Sequence, residues 1–563
     1  MIHGIDFEVY EKLWTCVIID PIRRQETEIV NDREKLQKYY EQFKNEIFVT
    51  FNGRHYDQFI FKGILLDLNP KEINDWIIVE DMPGWKFSSA FRQIPLNVYD
   101  VKQNIDRGLK VFEGFMGNDI QETSIPFDYK GEFTEEMIRE VLKYNRHDVE
   151  QTLEVFLQRL ADFEAQMALL KMFNMPLSNI SKTKVQLSAQ ILEASKRGYD
   201  DEFEISFPPT MQIEKYRHIV DWYMNVENRD YSKSLETMVA GVPHSFGWGG
   251  VHGALEKYTG EGYFINMDVA SLYPSLMIQY NLHSRSCNPK KFNEIVETRL
   301  KFKHEKNPLQ APLKIVINGT YGAMKDKNNP LYDPRQANNV CIYGQLLLLD
   351  LMEKLEPYCD IIQSNTDGVL VKLRKYEDFD LIDDIAYEWE QRTHLQLEFD
   401  EFRKVFQGDV NNYVIVDMDG NYKSKGGYVK KLGNLDYDLP IVNKAMVDFM
   451  VKGIPVEVTI SKCNELKEFQ QVKKISSKYK YIQHGSEILK EKCVRCFASK
   501  DESDGGLTKI HATTGRPAKI ENTPTHAFLF NGSVEGVKCP RKLDKQWYIN
   551  MAKERLTKKF GVM

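Results

Sequence analysis

The sequence predicts a mixed multidomain protein, α/β at its start and α+β beyond. Three observations carry this. Residues 1–165 alternate short apolar strand candidates with a long helical pattern. Further on, the pattern reads as a strand run ending at Asp268, two helices over 292–325 and a hairpin over 361–373. The chain has 563 residues, enough for roughly three to five domains or subdomains.

Taken in order, the first strand candidates are Leu13–Ile19, Ile47–Phe51 and Leu96–Val101. A helix is predicted from about Thr134 to Leu160, with Thr134 as its cap and Glu135 and Glu136 in its first turn. Residues 166–245 are mixed, with helical periodicity early and the turn-rich Phe207-Pro208-Pro209 later. A glycine-dense loop, Gly247-Trp248-Gly249-Gly250-Val251-His252-Gly253, follows. The apolar run Phe264–Ala270 then delivers Asp268 to a strand end. The chain breaks at Ser271-Leu272-Tyr273-Pro274, where Pro274 suits the first turn of a helix. Residues 292–325 read as two helices separated by Asn307-Pro308, and 361–373 as a hairpin turning at Ser364–Gly368. The final third alternates strand-like and helical pieces and ends in an amphipathic candidate, Trp547–Phe560.

Hydrophobic residues make up 42% of the chain and charged residues 28%, as in ordinary globular proteins with ample core. No apolar run reaches the ~18 residues of a membrane span. The N-terminus lacks the basic and apolar regions of a signal peptide, so the expected location is cytoplasmic. Eight scattered cysteines fit a reducing compartment. Cys493 and Cys496 form the one C-x-x-C pair, but the nearest further ligands, His511 and Cys539, match no strong zinc spacing. The net charge of -7 hides an asymmetry: residues 441–563 hold 23 Lys and Arg against 13 Asp and Glu. A basic C-terminal region on an acidic body suggests contact with a polyanion.

Three segments carry one constellation. Asp268 is a carboxylate poised for a hard cation, with backbone after it that can face a phosphate. Lys314, Asn318 and Tyr321 stand at i, i+4 and i+7 and share a helical face, offering a cation, an amide and a ring for phosphate, sugar and base. Arg299 and Lys303 stand at i and i+4 on the preceding helix. If the helices pair antiparallel, three cations converge on one polyphosphate. The Ser364-Asn365-Thr366-Asp367-Gly368 turn presents a second carboxylate, Asp367. Two such carboxylates can bridge a pair of Mg²⁺ ions for phosphoryl transfer.

A second constellation lies upstream. Asp6 and Glu8 in Asp6-Phe7-Glu8 share one side of a strand. Asp57 closes Asn52-Gly53-Arg54-His55-Tyr56-Asp57 after the strand Ile47–Phe51. Tyr144 and Asp148, in Tyr144-Asn145-Arg146-His147-Asp148, lie one helical turn apart.

In this order, the downstream segments resemble the motifs of the family B DNA polymerases. Asp268-x-x-Ser271-Leu272-Tyr273-Pro274-Ser275 looks like the family's DxxSLYPS. Lys314-x3-Asn318-Gly319-x-Tyr321-Gly322 looks like its K-x3-N-S-x-Y-G, and Asn365-Thr366-Asp367 its D-T-D. Gly249-Gly250 resembles the Gly-Gly motif that contacts template, and Lys423-Ser424-Lys425-Gly426-Gly427-Tyr428 the K-x-Y motif at the primer end. Two positions depart from the pattern: Asn365 stands for an aspartate and Gly319 for a serine. The upstream segments resemble the three motifs of a DEDDy 3′–5′ exonuclease.

The resemblance implies an RNase H-like exonuclease domain and a right-hand polymerase. Expected boundaries are exonuclease 1–165, a connecting region 166–245, palm 246–290 and 331–440 built on an antiparallel sheet, two-helix fingers 291–330, and a basic thumb 441–563. It also implies roles. Asp268, the Val269 carbonyl and Asp367 would hold two Mg²⁺ or Mn²⁺ ions. Arg299, Lys303 and Lys314 would neutralise the triphosphate beside Ser271 and Leu272. Tyr273 would lie under the sugar, and Asn318 and Tyr321 would line the base pair. Gly249, Gly250, Lys425 and Tyr428 would hold DNA. Asp6, Glu8, Asp57 and Asp148 would bind two further ions for editing, with Tyr144 orienting the attacking water. The implied partners are primer–template DNA, single-stranded DNA at the editing site, dNTPs and replication accessory proteins, with no membrane.

The first editing motif begins at residue 6, which leaves no room for the N-terminal domain of the larger family B enzymes. Only 44 residues separate Asp268 from Leu313, and 44 separate Gly322 from Asp367. Neither gap has room for the insertions of protein-primed phage polymerases. A compact phage or mobile-element replication enzyme, in the host cytoplasm, is therefore expected. Its rivals are a primer-independent relative and an inactive DNA-binding subunit. The intact acids at both constellations argue against the second.

Overall fold

The computed structural model describes residues 1–103 and 107–562. The chain forms two compact units, each discontinuous in sequence. The first comprises Met1–Thr183, Leu432–Ile441 and Cys463–Tyr548; the second comprises Lys184–Lys431, Val442–Lys462 and Ile549–Met563.

The first unit is built on a five-stranded sheet in the order Gln25–Val30, Trp14–Asp20, Ile2–Val9, Ile47–Thr50, Asn97–Asp100. Ile2–Val9 pairs antiparallel with Trp14–Asp20 and parallel with Ile47–Thr50. The strand period explains the division of faces. Ile5, Phe7 and Val9 enter a core with Phe48, Phe59 and Ile60. Asp6 and Glu8 alternate with them on the face beneath the helix Glu135–Gln158. That helix starts as its sequence dictates, with the Thr134 hydroxyl accepting the Met137 N–H at 3.3 Å.

Cys463–Tyr548 adds two small sheets to this unit. One has three strands, Gln471–Lys474, Cys493–Ala498 and Ala527–Leu529. The other has four, Glu487–Ile488, Tyr479–His484, Leu507–His511 and Pro517–Lys519. They share a core that includes Ile482, Val494 and Leu507. The basic stretch 441–563, read from sequence as one region, is thus divided between the two units. Arg495, fully buried, donates to the carbonyls of Gly114 at 3.0 Å and Asn118 at 2.7 Å, at the end of the helix Leu109–Met116. Cys493 and Cys496 lie three residues apart on one strand, so they face opposite sides, and both are buried. They cannot share a metal ion.

The second unit centres on a nine-stranded antiparallel sheet. Its middle strands run Leu397–Asp409, Tyr258–Val269, Gly368–Leu373, Cys359–Ser364 and His252–Ala254. The helix Pro334–Leu355 is buried along most of its length, its apolar residues together with Asn338, Asn339, Gln345 and Asp350. Pro289–His304 and Gln310–Met324 are the two helices expected across Asn307-Pro308, and they pack on each other. A further helix, Lys184–Ile191, lies against Gln310–Met324. Among the described residues, no helix is long and apolar enough to cross a membrane.

Candidate active sites

Strand register brings Asp268 and Asp367 together. Asp268 pairs across the sheet with Gly368 on one side and Glu398 on the other. A Cβ on residue 368 would overlap the Asp268 carboxylate, so glycine there lets that carboxylate lie over the hairpin next to Asp367. The Val269 N–H donates to the Asp367 carbonyl at 2.7 Å, which ties the two acid-bearing turns. Asn365 has a visible task. Its side-chain oxygen accepts the Asp367 N–H at 3.1 Å, and its own N–H donates to the Gly368 carbonyl at 2.9 Å. An amide shapes the turn without adding another negative charge.

Burial raises the Asp268 carboxyl above its ordinary range, and Asp367, Asp400 and Glu398 add to the rise against a hydrogen bond from Asn266. A carboxyl held up by neighbouring like charges gains from a bound cation. The donor set, oxygen only and acidic, suits a hard divalent ion.

Beside this pair lies a cavity of about 440 Å³. Its walls include Ser271, Leu272, Tyr273, Arg299, Lys314, Asn318, Tyr321 and Asp367, eight of the residues the sequence marked. Ser271 adopts φ 51° at the start of the helix Leu272–Gln279, and Arg299 Nη1 reaches its hydroxyl at 3.4 Å. Among the described residues the buried Arg299 Nε has no partner. The Tyr273 and Tyr321 rings lie 4.3 Å apart. Lys303 is not on the wall; its ammonium stands 3.4 Å from Glu398.

Around the acids, Lys425 lies 5.9 Å from the Tyr413 ring, and Arg555 lies 4.8 Å from the Tyr428 ring. Burial raises the Tyr413 phenol, and Asp268 and Asp367 add to it, so this ring adjoins the pair. Gly249 is open, with its carbonyl accepting from Gln345 at 2.7 Å. Tyr413, Glu398 and Asp400 escaped the sequence reading. The alternation Glu398-x-Asp400 was readable as a strand face, but not which strand it would border.

The upstream acids also converge. Asp6, Glu8 and Asp148 place carboxylate oxygens within 4.8 Å of one another. Asp57 adjoins them, since the Phe7 N–H bonds to its carboxylate, and its buried Oδ1 has no partner among the described residues. Burial, with Asp100 adding, pushes Asp57 up to about 8. Burial and then neighbouring carboxylates hold Asp6 and Glu8 well above the usual range.

Two residues to which the sequence reading gave no role complete the cluster. Asn145 donates to Asp6 at 2.6 Å. Lys110 bonds to Asp148 and, at 2.9 Å, to Glu113, and its ammonium lies 4.6 Å from the Tyr144 ring. Asn145 was legible as the neighbour of Tyr144; nothing in spacing marked Lys110. Four crowded carboxyls, three of them buried, outnumber the one lysine among them, and once ionised they leave negative charge that a divalent ion fits.

Comparison with known proteins agrees with the motifs. Over 198 residues the chain is 26% identical to DNA polymerase 1 of Saccharolobus solfataricus, a stretch that is 34% of this chain and 21% of that protein. Over 126 residues it is 29% identical to DNA polymerase 1 of Sulfolobus acidocaldarius, covering 22% of this chain and 14% of the relative. For DNA polymerase 1 of Aeropyrum pernix the identity is 25% over 222 residues, 32% of this chain and 23% of that one. The matched stretch thus spans about a fifth of these relatives' length. The solved structure of the family B DNA polymerase from the hyperthermophilic archaeon Pyrobaculum calidifontis aligns with all of this chain and 78% of its own, with a TM-score of 0.43 and 14% identity. No protein-family model matches the chain. The resemblance to the family B DNA polymerases is therefore carried by sequence similarity as well as by motif.

Proposed function

We propose that this relative of the family B DNA polymerases is a template-directed DNA polymerase that extends a primer 3′ end with dNTPs and edits its product with a 3′–5′ exonuclease. The observation that carries the reading is the cavity that gathers Arg299, Lys314, Asn318, Tyr321 and Tyr273 beside Asp367. Its size and its mix of cations, amide and adjoining aromatic rings suit a nucleoside triphosphate.

Asp268, the Val269 carbonyl and Asp367 would hold the Mg²⁺ or Mn²⁺ pair. When bound, such ions acidify the primer hydroxyl and offset charge on the phosphates. Arg299 and Lys314 bind and orient the polyphosphate. Tyr273 packs under the sugar against Tyr321. The exposed Gly249–Gly250 loop, with Lys425 and Tyr428, grips the DNA backbone, so binding weakens with salt. At the second site Asp6, Glu8, Asp57 and Asp148 would hold the editing ions, and Tyr144 positions the attacking water. Lys110 fixes Asp148 and the Tyr144 ring. A compact phage or mobile-element replication role fits the short gaps between the motifs.

The test is primer extension with Mg²⁺ or Mn²⁺ by the wild type and by Asp367→Ala. The wild type should extend, and the variant should lose roughly a thousandfold or more. No extension by the wild type with either ion would sink the reading.

A further inference from the structure

A chain of contacts runs behind the nucleotide cavity to the glycine loop. Lys325, one turn beyond Tyr321, donates to the Trp248 carbonyl at 2.9 Å, immediately before Gly249-Gly250. The same ammonium lies 3.7 Å from the Cys341 sulfur and 5.9 Å from the centre of the Tyr321 ring. Cys341, only 1% exposed, in turn touches the Tyr321 hydroxyl. The Tyr321 ring lies against Tyr273 at an interplanar angle of 40°, and both line the cavity. No carboxylate pairs with Lys325 among the described residues, so a carbonyl and a thiol are what hold it.

The far end of the chain is fixed by one helix. On Pro334–Leu355, Gln345 follows Cys341 by one turn, on the same face. Its amide donates to the carbonyls of Gly247 at 2.8 Å and Gly249 at 2.7 Å. The Trp248 ring is anchored among Trp222, Tyr223 and Phe203. At Gly250 the loop meets the acid-bearing turn, since a Cβ there would come within 3.2 Å or less of three Thr366 side-chain atoms. A shift of the loop backbone is therefore felt at Tyr321 through Lys325, and at Asp367 through Thr366.

We infer that Lys325, acting through Cys341, is a positioning residue that sets the Tyr273–Tyr321 ring contact according to the state of the Gly249–Gly250 loop, and so governs how strictly the site selects the sugar of the incoming nucleotide. This rests on the polymerase reading. Physically, the ammonium joins a loop carbonyl beside Gly249 to the hydroxyl–thiol pair that holds the Tyr321 ring. Loss of the charge frees Tyr321 to rotate, and Tyr273 loses the wall against which it packs.

The experiment is single-nucleotide insertion on a primed template with a dNTP and with the matching rNTP. It compares wild type, Lys325→Met, Lys325→Arg and Cys341→Ala, each checked for an unchanged thermal midpoint. Lys325→Met should raise the apparent KM for dNTP about tenfold, with kcat within about threefold, and should lower the dNTP-over-rNTP preference roughly five- to tenfold. Lys325→Arg should restore most of both values. Cys341→Ala should shift the preference in the same direction, and it decides the matter if Lys325→Met fails to fold. An active set of variants whose preference stays at the wild-type value, or that lose kcat alone, overturns the inference and leaves the polymerase reading intact. A wild type that inserts nothing removes the polymerase reading itself.

Discussion

Asp367 stands exposed at a hairpin tip, whereas Glu8, Asp57 and Asp148 are each less than a tenth exposed. The two carboxylate sites meet the cost of like charges differently. At the open site, water screens Asp367, and nearby cations are engaged elsewhere: Lys303 faces Glu398, and Lys423 faces Asp400 at 2.8 Å. At the closed site, burial denies that screening, and a lysine from the same unit, Lys110, lies inside the cluster. The open site is therefore ready to accept a large charged substrate together with ions. The closed site calls for cations as its raised carboxyls ionise, and it depends on precise placement of four acids.

The largest effect that could break this contrast comes from Asp6→Ala. If the buried acids form a separate editing centre, this change should cut degradation of a mispaired 3′ end by about a hundredfold or more while extension stays close to wild type. Equal degradation by the variant and the wild type would refute the site assignment.

A second measurement sharpens the electrostatic side. Carboxyls raised in the folded state stabilise it fully when pH lies below their unfolded values, and that contribution is lost as pH climbs through the folded value. Asp57 is pushed up to about 8, and Asp6, Glu8 and Asp148 are also raised, all by burial first. With metal chelated, thermal stability should fall between about pH 5.5 and about pH 8.5, by roughly 2–4 °C per kcal/mol lost. Mg²⁺ should raise the midpoint more at the higher pH, where the acids are ionised and bind it. Asp57→Asn should flatten the pH dependence in chelator. A midpoint independent of pH in chelator would mean that the acids are less crowded than their geometry indicates.

Much of this contrast was legible in the chain. Strand period alone placed Asp6 and Glu8 on one side, and Thr134 and Asn307-Pro308 marked helix boundaries that the structure keeps to within a few residues. Helical spacing put Lys314, Asn318 and Tyr321 on one wall. What was not legible depends on contacts between distant segments. Lys110 reaches Asp148 from 38 residues away, and Glu398 reaches Asp268 only through sheet order, which local pattern does not encode. The division of 441–563 is of the same kind. Its charge could be counted, but the burial of Arg495 against the carbonyls of Gly114 and Asn118 could not be foreseen from composition.

The smallest expected effect tests where the open site draws its precision. Gly319, one of the two departures from the family pattern, sits on the helix Gln310–Met324 where Lys184–Ile191 crosses it. A Cβ there would lie 2.7 Å from the Ser188 hydroxyl oxygen and 3.6 Å from the Lys184 carbonyl. Ser188 is buried, with its hydroxyl donating to that carbonyl at 2.9 Å, so it does not yield freely. Alanine gains about 1 kcal/mol over glycine inside a helix, whereas overpacking costs about 1–3 kcal/mol. Gly319→Ala should therefore destabilise slightly in the wild-type background. With Ser188→Ala also present the clash oxygen is gone, and the same change should stabilise. A double-mutant cycle by thermal melting reads the sign change directly. If Gly319→Ala stabilises equally in both backgrounds, the helix crossing is looser than 2.7 Å implies. The wall that carries Lys314 and Asn318 would then owe its placement to something other than this close contact.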